Sequence, residues 1–161
     1  DDFAISAGQT IRQLFTAASQ AGVTVRAMLW DQFGSQNSAE VDHINALPHG
    51  AAILDNRTLN FGSHHQKLLL VNGSEGLIAF CGGIDINPDR IRTVTTGTFS
   101  SGGAGSPLHD VHCRIEGPAA FDLVRVFEQR WNDHPDHGAL DRAKGALPTI
   151  AEPAPIPSAR P

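Results

Sequence analysis

The residues best equipped for chemistry lie together in the run His64-His65-Gln66-Lys67-Leu68-Leu69-Leu70-Val71-Asn72. Alternate residues of a strand share a face, so His65 and Lys67 point the same way while the apolar residues bury the rest. A neutral imidazole beside a fixed ammonium suits attack on a phosphodiester. The ring nitrogen is the nucleophile, and the cation offsets charge on the nonbridging oxygens. Spacing alone also admits a plainer reading, a half-buried histidine and a surface lysine that happen to be two apart. Lysine usage weighs against that reading. Lysine occurs only at Lys67 and Lys144, and a charge on so apolar a strand needs a partner or a purpose.

Other candidates carry less. His109 and His112 are three apart on an expected strand, hence on opposite faces and badly set to share a metal ion. His134 and His137 flank Pro135 in a polar segment and read as solvated surface residues. Residues 101–105 (Ser-Gly-Gly-Ala-Gly) lack the Lys-Ser/Thr of a phosphate loop, and no G-x-S-x-G of a serine hydrolase is present. Arg90 and Arg92 read as exposed loop residues within reach of a phosphate. Cys81 and Cys113 form no C-x-x-C, so they read as two small buried thiols or as one bridge between neighbouring strands.

Helices and strands alternate along the chain, which predicts an α/β architecture. Ile11, Leu14, Phe15 and Ala18 recur at helical spacing after the capping residue Thr10, and Gly22 ends that helix. Val23, Val25, Ala27 and Leu29 alternate as a strand closing at Trp30-Asp31. A helix over 38–47 and a buried strand over 51–54 follow. A strand over 65–71 and a returning strand over 76–86 flank Asn72-Gly73, a hairpin signal. Residues 87–108 read as an exposed loop, and 111–115 as another strand. Gly117-Pro118 then opens a helix striped by Ala120, Val124, Phe127 and Trp131. The domain expected is residues 1–145, with 146–161 a Pro-rich linker or tail.

A chain of 161 residues with 40% apolar and 18% charged residues is globular in composition. Its net charge of −5, with ten scattered arginines, disfavours nucleic acid as the partner, because phosphate neutralisation drives such binding.

The run His65-x-Lys67-x4-Asn72, followed by Gly82-Gly83-Ile84-Asp85, resembles the H-x-K-x4-D and G-G/S-x-N/D signature of the phospholipase D superfamily. Trp30-Asp31 fits the same family. So does His109-Asp110-Val111-His112-Cys113-Arg114-Ile115-Glu116-Gly117-Pro118, leading into Phe127-Glu128-Gln129-Arg130-Trp131, much as in phospholipase D proper. The resemblance spans about residues 10–133. It implies a phospholipase D-like α/β/α sandwich lobe with a mixed central sheet. It also implies cleavage or transfer of phospholipid headgroup diesters through a phosphohistidine, without metal or other cofactor, and contact with a membrane surface. His65 matches the reactive histidine, Lys67 the phosphate-binding lysine, Asp85 the polar residue that also faces phosphate, and Asp110 the carboxylate that holds the histidine ring. Two positions depart from the family: Asn72 stands where it has Asp, and Gly83 replaces the common Ser.

Enzymes resembling this family use two such histidines, one attacking phosphorus and one protonating the leaving group, and this sequence holds one His-x-Lys. Either two copies pair as a homodimer, or the chain is one lobe of a bilobal enzyme. The lack of an initiating Met, of a clear strand before the first helix, and the Pro-rich end favour an N-terminal lobe whose first strand is missing. A non-catalytic scaffold lobe and a dimeric phospholipase D-like nuclease are the other readings.

Overall fold

The computed structural model describes residues 4–6, 9–31, 37–57, 62–86 and 110–155. The expected loop over 87–108, with Arg90 and Arg92, and His109 lie outside them. Two short strands come first, β1 (Ala4–Ser6) and β2 (Gln9–Thr10), paired antiparallel where the sequence offers no clear strand. At three and two residues they are too short to display an alternating pattern. Helix α1 (Ile11–Gln20) opens on a reciprocal cap. Thr10 Oγ1 accepts from the Gln13 N–H at 3.2 Å, and Gln13 Oε1 accepts from the Thr10 N–H at 2.9 Å.

Strands β3 (Val25–Trp30) and β4 (Gly50–Asp55) pair in parallel, from Val25 opposite Gly50 to Trp30 opposite Asp55. Helix α2 (Ser38–Ala46) makes the crossover. Parallel strands are covered on both faces, and β4 obeys this residue by residue. Ala52 packs with Val25, Ile44, Phe15 and Val41 on one side, while Ala51 and Ile53 pack with Trp131 and Phe127 on the other. Gly50 has no alternative, since a side chain there would run into the Ile44 carbonyl and Leu47.

Strands β5 (Lys67–Gly73), β6 (Gly76–Gly82) and β7 (His112–Glu116) form an antiparallel sheet in that order. The expected hairpin forms, but pairing runs on through Asn72 (opposite Leu77) and Gly73 (opposite Gly76). The turn is therefore Ser74-Glu75, followed by Gly76 at φ 88°. Cys81 stands opposite Cys113, and both are free. Cys113, on one of the sheet's two edge strands, is exposed and Cys81 half-buried, so the pair is not a pair of buried thiols.

Helix α3 (Pro118–Asn132) joins the two sheets. Its first turns lay Ala120 and Val124 on Leu77 and Ala79, and its last turn lays Trp131 on Ala51 and Ile53. Trp131 is fully buried, stacks on Phe127 at 5.7 Å and donates Nε1–H to the Gly145 carbonyl at 2.9 Å. With α1 and α2 on one face of β3–β4 and α3 on the other, the α/β/α layering is as expected. Parallel and antiparallel pairings both occur, divided among separate small sheets within the described residues.

A 3-10 turn (Pro135–Ala139) and a short helix α4 (Arg142–Gly145) follow, neither anticipated. Beyond them the Arg26 guanidinium grips the Ala146 carbonyl at 2.8 and 3.0 Å. Leu147 packs on the Trp131 cluster and Ile150 on the Leu77 cluster.

Candidate active site

Lys67 opens β5 and sends its ammonium back toward the end of β6. Its Nζ lies 2.9 Å from Asp85 Oδ1 and donates to the His65 carbonyl at 3.3 Å. The lysine side chain is only 9% exposed, so protein groups hold this charge where water largely cannot. His65 lies two residues before β5, which begins at Lys67 and not, as expected, at His65 itself. Its ring is exposed and makes no hydrogen bond among the described residues.

Asp110 comes to the same end of the sheet. Its Oδ1 accepts the Val111 N–H at 2.8 Å, while Gly83 N–H bonds the Val111 carbonyl at 3.0 Å. The Asp110 carboxyl occupies the space a side chain at position 83 would need. The departure from Ser at this position thus has a steric reason, because a serine Cβ would have to displace that carboxylate. The structure brings Lys67, Asp85 and Asp110 to one sheet end, but it does not join Asp110 to the His65 ring by a hydrogen bond.

Asn72 is elsewhere. Five residues along β5 at about 3.3 Å each put it roughly 16 Å from Lys67, at the turn end of the hairpin. A role in the Asn-Gly turn is also ruled out by the register. Asn72→Asp should therefore change turnover less than about threefold, and steady-state kinetics that showed a gain of orders of magnitude would overturn this.

The sheet register supplies a residue that spacing missed. Lys67 pairs with Gly82 and Gly82 with His112, so lysine and histidine share one face across a glycine. His112 Nδ1 lies 2.9 Å from where a Gly82 Cβ would sit, and it is buried without a hydrogen-bond partner among the described residues. The register of strands distant in sequence is not written in local spacing. Gly82 was the available signal, since a bare position between two strands leaves room for a neighbour.

Behind the reactive run lies a second polar group, at the C-terminal ends of the parallel strands where α/β folds tend to place their sites. Asp55, Arg57, His64 and Arg130 line a cleft of about 280 Å³. Asp55 pairs with Arg130, accepts the Arg57 N–H at 3.2 Å and faces His134 Nε2 at 3.6 Å. His134 and His137 are not the solvated residues expected. The His134 side chain is fully buried, and His137 meets the Trp131 ring edge-on at 6.1 Å.

Burial holds the His134 imidazole below its usual range. Arg57 and Arg130 push it down further, against an opposing pull from Asp55 and Asp136. Between that lowered value and about 6.5, the unfolded chain binds a proton that the native one refuses. Stability should therefore fall as pH drops through this window and level off below it. His134→Asn keeps an acceptor for the Asp136 N–H (now at 3.2 Å to Nδ1) but cannot titrate. Urea midpoints from pH 8 to 5 should show the variant losing less stability than the wild type, and equal losses would refute the assignment.

A family model described as Phospholipase D matches residues 88–151. Among curated relatives, Phospholipase D alpha 2 of Arabidopsis thaliana is 24% identical over 200 residues, covering 91% of this chain and 25% of its own. Phospholipase D alpha 1 of Zea mays is 30% identical over 136 residues, covering 66% and 17%. Phospholipase D alpha 2 of Oryza sativa subsp. japonica is 32% identical over 125 residues, covering 58% and 15%. The chain thus spans a quarter or less of the length of these relatives. No solved structure matches. The motif run around His65 and Lys67, the α/β lobe that carries it and these similarities agree, and the chain belongs to the phospholipase D superfamily.

Proposed function

We propose that the chain is a catalytic lobe of a phospholipase D-type phosphodiesterase acting on phospholipid headgroup esters, with His65 as nucleophile. The observation that carries this reading is the sheltered Lys67, paired with Asp85 and bonded to the His65 carbonyl. The carboxylate holds the ammonium in place, and the ammonium can meet a nonbridging oxygen of a phosphodiester that reaches His65.

One nitrogen of the neutral His65 ring attacks phosphorus, the P–O bond to the headgroup breaks, and the departing alkoxide takes a proton from an acid outside this site. Water then attacks phosphorus and gives its proton to the conjugate base of that acid, the P–N bond breaks, and the histidine returns neutral. Asp110, at the same sheet end, is the candidate to hold the second ring nitrogen once substrate turns the ring. Hydrogen bonds of this kind often tighten only in the complex. His112, across Gly82 from Lys67, adds a donor on the phosphate side.

A direct test is rapid quench of the full-length protein with a short-chain phosphatidylcholine, followed by peptide mass analysis. An acid-labile phosphatidyl adduct on His65, the substrate less its choline, is expected. Steady headgroup release with no adduct at any quench time would overturn the covalent reading.

A further inference from the structure

We propose that Arg130 and His64 are positioning residues for His65, forming a buttress behind the reactive segment. This deepens the phosphohistidine reading above and rests on it. Arg130, near the end of α3, sends one guanidinium nitrogen to Asp55 Oδ2 and the other to His64 Nδ1 at 3.1 Å. A guanidinium has donors only, so His64 Nδ1 must accept. That leaves the proton on Nε2, which faces Gln66 Oε1 at 3.4 Å. One tautomer satisfies both contacts.

The consequence falls on the residue between them. His64 is tied to α3, Gln66 is tied to His64, and the His65 carbonyl accepts from Lys67. The His65 backbone is thus held on both sides while its own ring stays open to an incoming phosphorus. The anchor is firm as well. The Asp55 side chain is 5% exposed and engages Arg130, the Arg57 N–H and the His134 ring together.

A competing account makes Arg130–Asp55 an ordinary ion pair that fastens α3 to β4, with His64 a bystander. The two differ in what His64 should do. Misplacing a reacting group by about 1 Å can cost on the order of a hundredfold in rate, whereas a bystander costs nothing in turnover.

The experiment uses the full-length protein and a soluble short-chain phosphatidylcholine, with kcat and KM resolved separately. His64→Leu and Arg130→Gln should each lower kcat about 10- to 100-fold while KM moves less than about threefold. His64→Asn carries an acceptor near the former Nδ1 position and should stay within about threefold of wild type. The double variant His64→Leu with Arg130→Gln should be no worse than the poorer single, because both break one chain of contacts. If Arg130→Gln fails to fold, His64→Leu decides, since it removes no ion pair. Wild-type kcat in His64→Leu, a loss in KM alone, or an Asn variant as poor as Leu would overturn the proposal. His65→Asn runs beside them. Turnover in that variant would remove the phosphohistidine reading itself, so the two failures are told apart.

Discussion

His65→Asn should remove nearly all turnover of the full-length protein and leave its thermal midpoint within a few degrees of wild type. The two halves of this expectation come from the same observation. The His65 ring is exposed and makes no hydrogen bond among the described residues, so its removal empties no core and leaves no buried partner stranded. The side chain contributes little to folding, and the nearby rings are placed otherwise, His64 on Arg130 and His112 with its Nδ1 buried beside Gly82. Asparagine offers an amide of similar shape with no nucleophilic nitrogen. Lys67→Ala should behave differently. Losing one donor to developing phosphate charge typically costs on the order of a hundredfold or more, and here the change also unmakes a sheltered ion pair. Headgroup release and thermal unfolding, measured side by side, check both. A His65 variant with wild-type turnover would mean that the pairing with Lys67 is structural after all.

The strands and helices that build this lobe announce themselves where burial is one- or two-sided over many residues. Val25 to Leu29 alternate, α3 repeats its stripe from Ala120 to Trp131, and Thr10 with Gln13 writes a cap in three letters of spacing. Local chemistry misled at the hairpin. Asn72-Gly73 is a stronger turn signal than Ser74-Glu75, yet pairing Asn72 with Leu77 extends the sheet beside the Leu77–Ala79 core. Gly76 then supplies the positive φ that the turn needs. Tertiary packing outweighed local turn preference.

The candidate site divides the same way. His65 and Lys67 are neighbours in sequence, but β5 begins only at Lys67, so the face expected from strand geometry does not extend to His65. Asp85 and Asp110 entered only through family resemblance, because their approach depends on how β6 ends and where β7 begins. The Asp55–Arg130–His64 chain draws one residue each from β4, α3 and the segment before β5. Two traces of it existed in the sequence. An apolar strand closes on an aspartate, and an arginine sits three residues after Phe127, at the margin of the buried stripe of α3. His134 was misread because a polar neighbourhood in sequence says nothing about what folds over it, and here Asp55 and Arg57 do.

The 161-residue chain alone should turn over slowly, whatever its affinity for phosphate. In-line displacement needs a nucleophile on one side of phosphorus and a proton donor on the other. Lys67, Asp85, Asp110 and His112 all gather at the sheet end that His65 adjoins, which in the mechanism proposed above is the attacking side. The leaving alkoxide departs away from them. General acid catalysis of such a departure is worth roughly a hundred- to ten-thousandfold, and that is the deficit expected of the isolated lobe relative to one paired with a second. A homodimer would restore the acid only if two His65 side chains met across a twofold axis. Headgroup release should therefore be measured on the isolated chain alongside its mass by light scattering, then repeated with a second phospholipase D-like lobe added in trans. The chain should gain at least a hundredfold on addition. Full activity from a strict monomer would overturn the half-site account, and an active dimer would show that one motif, used twice, suffices.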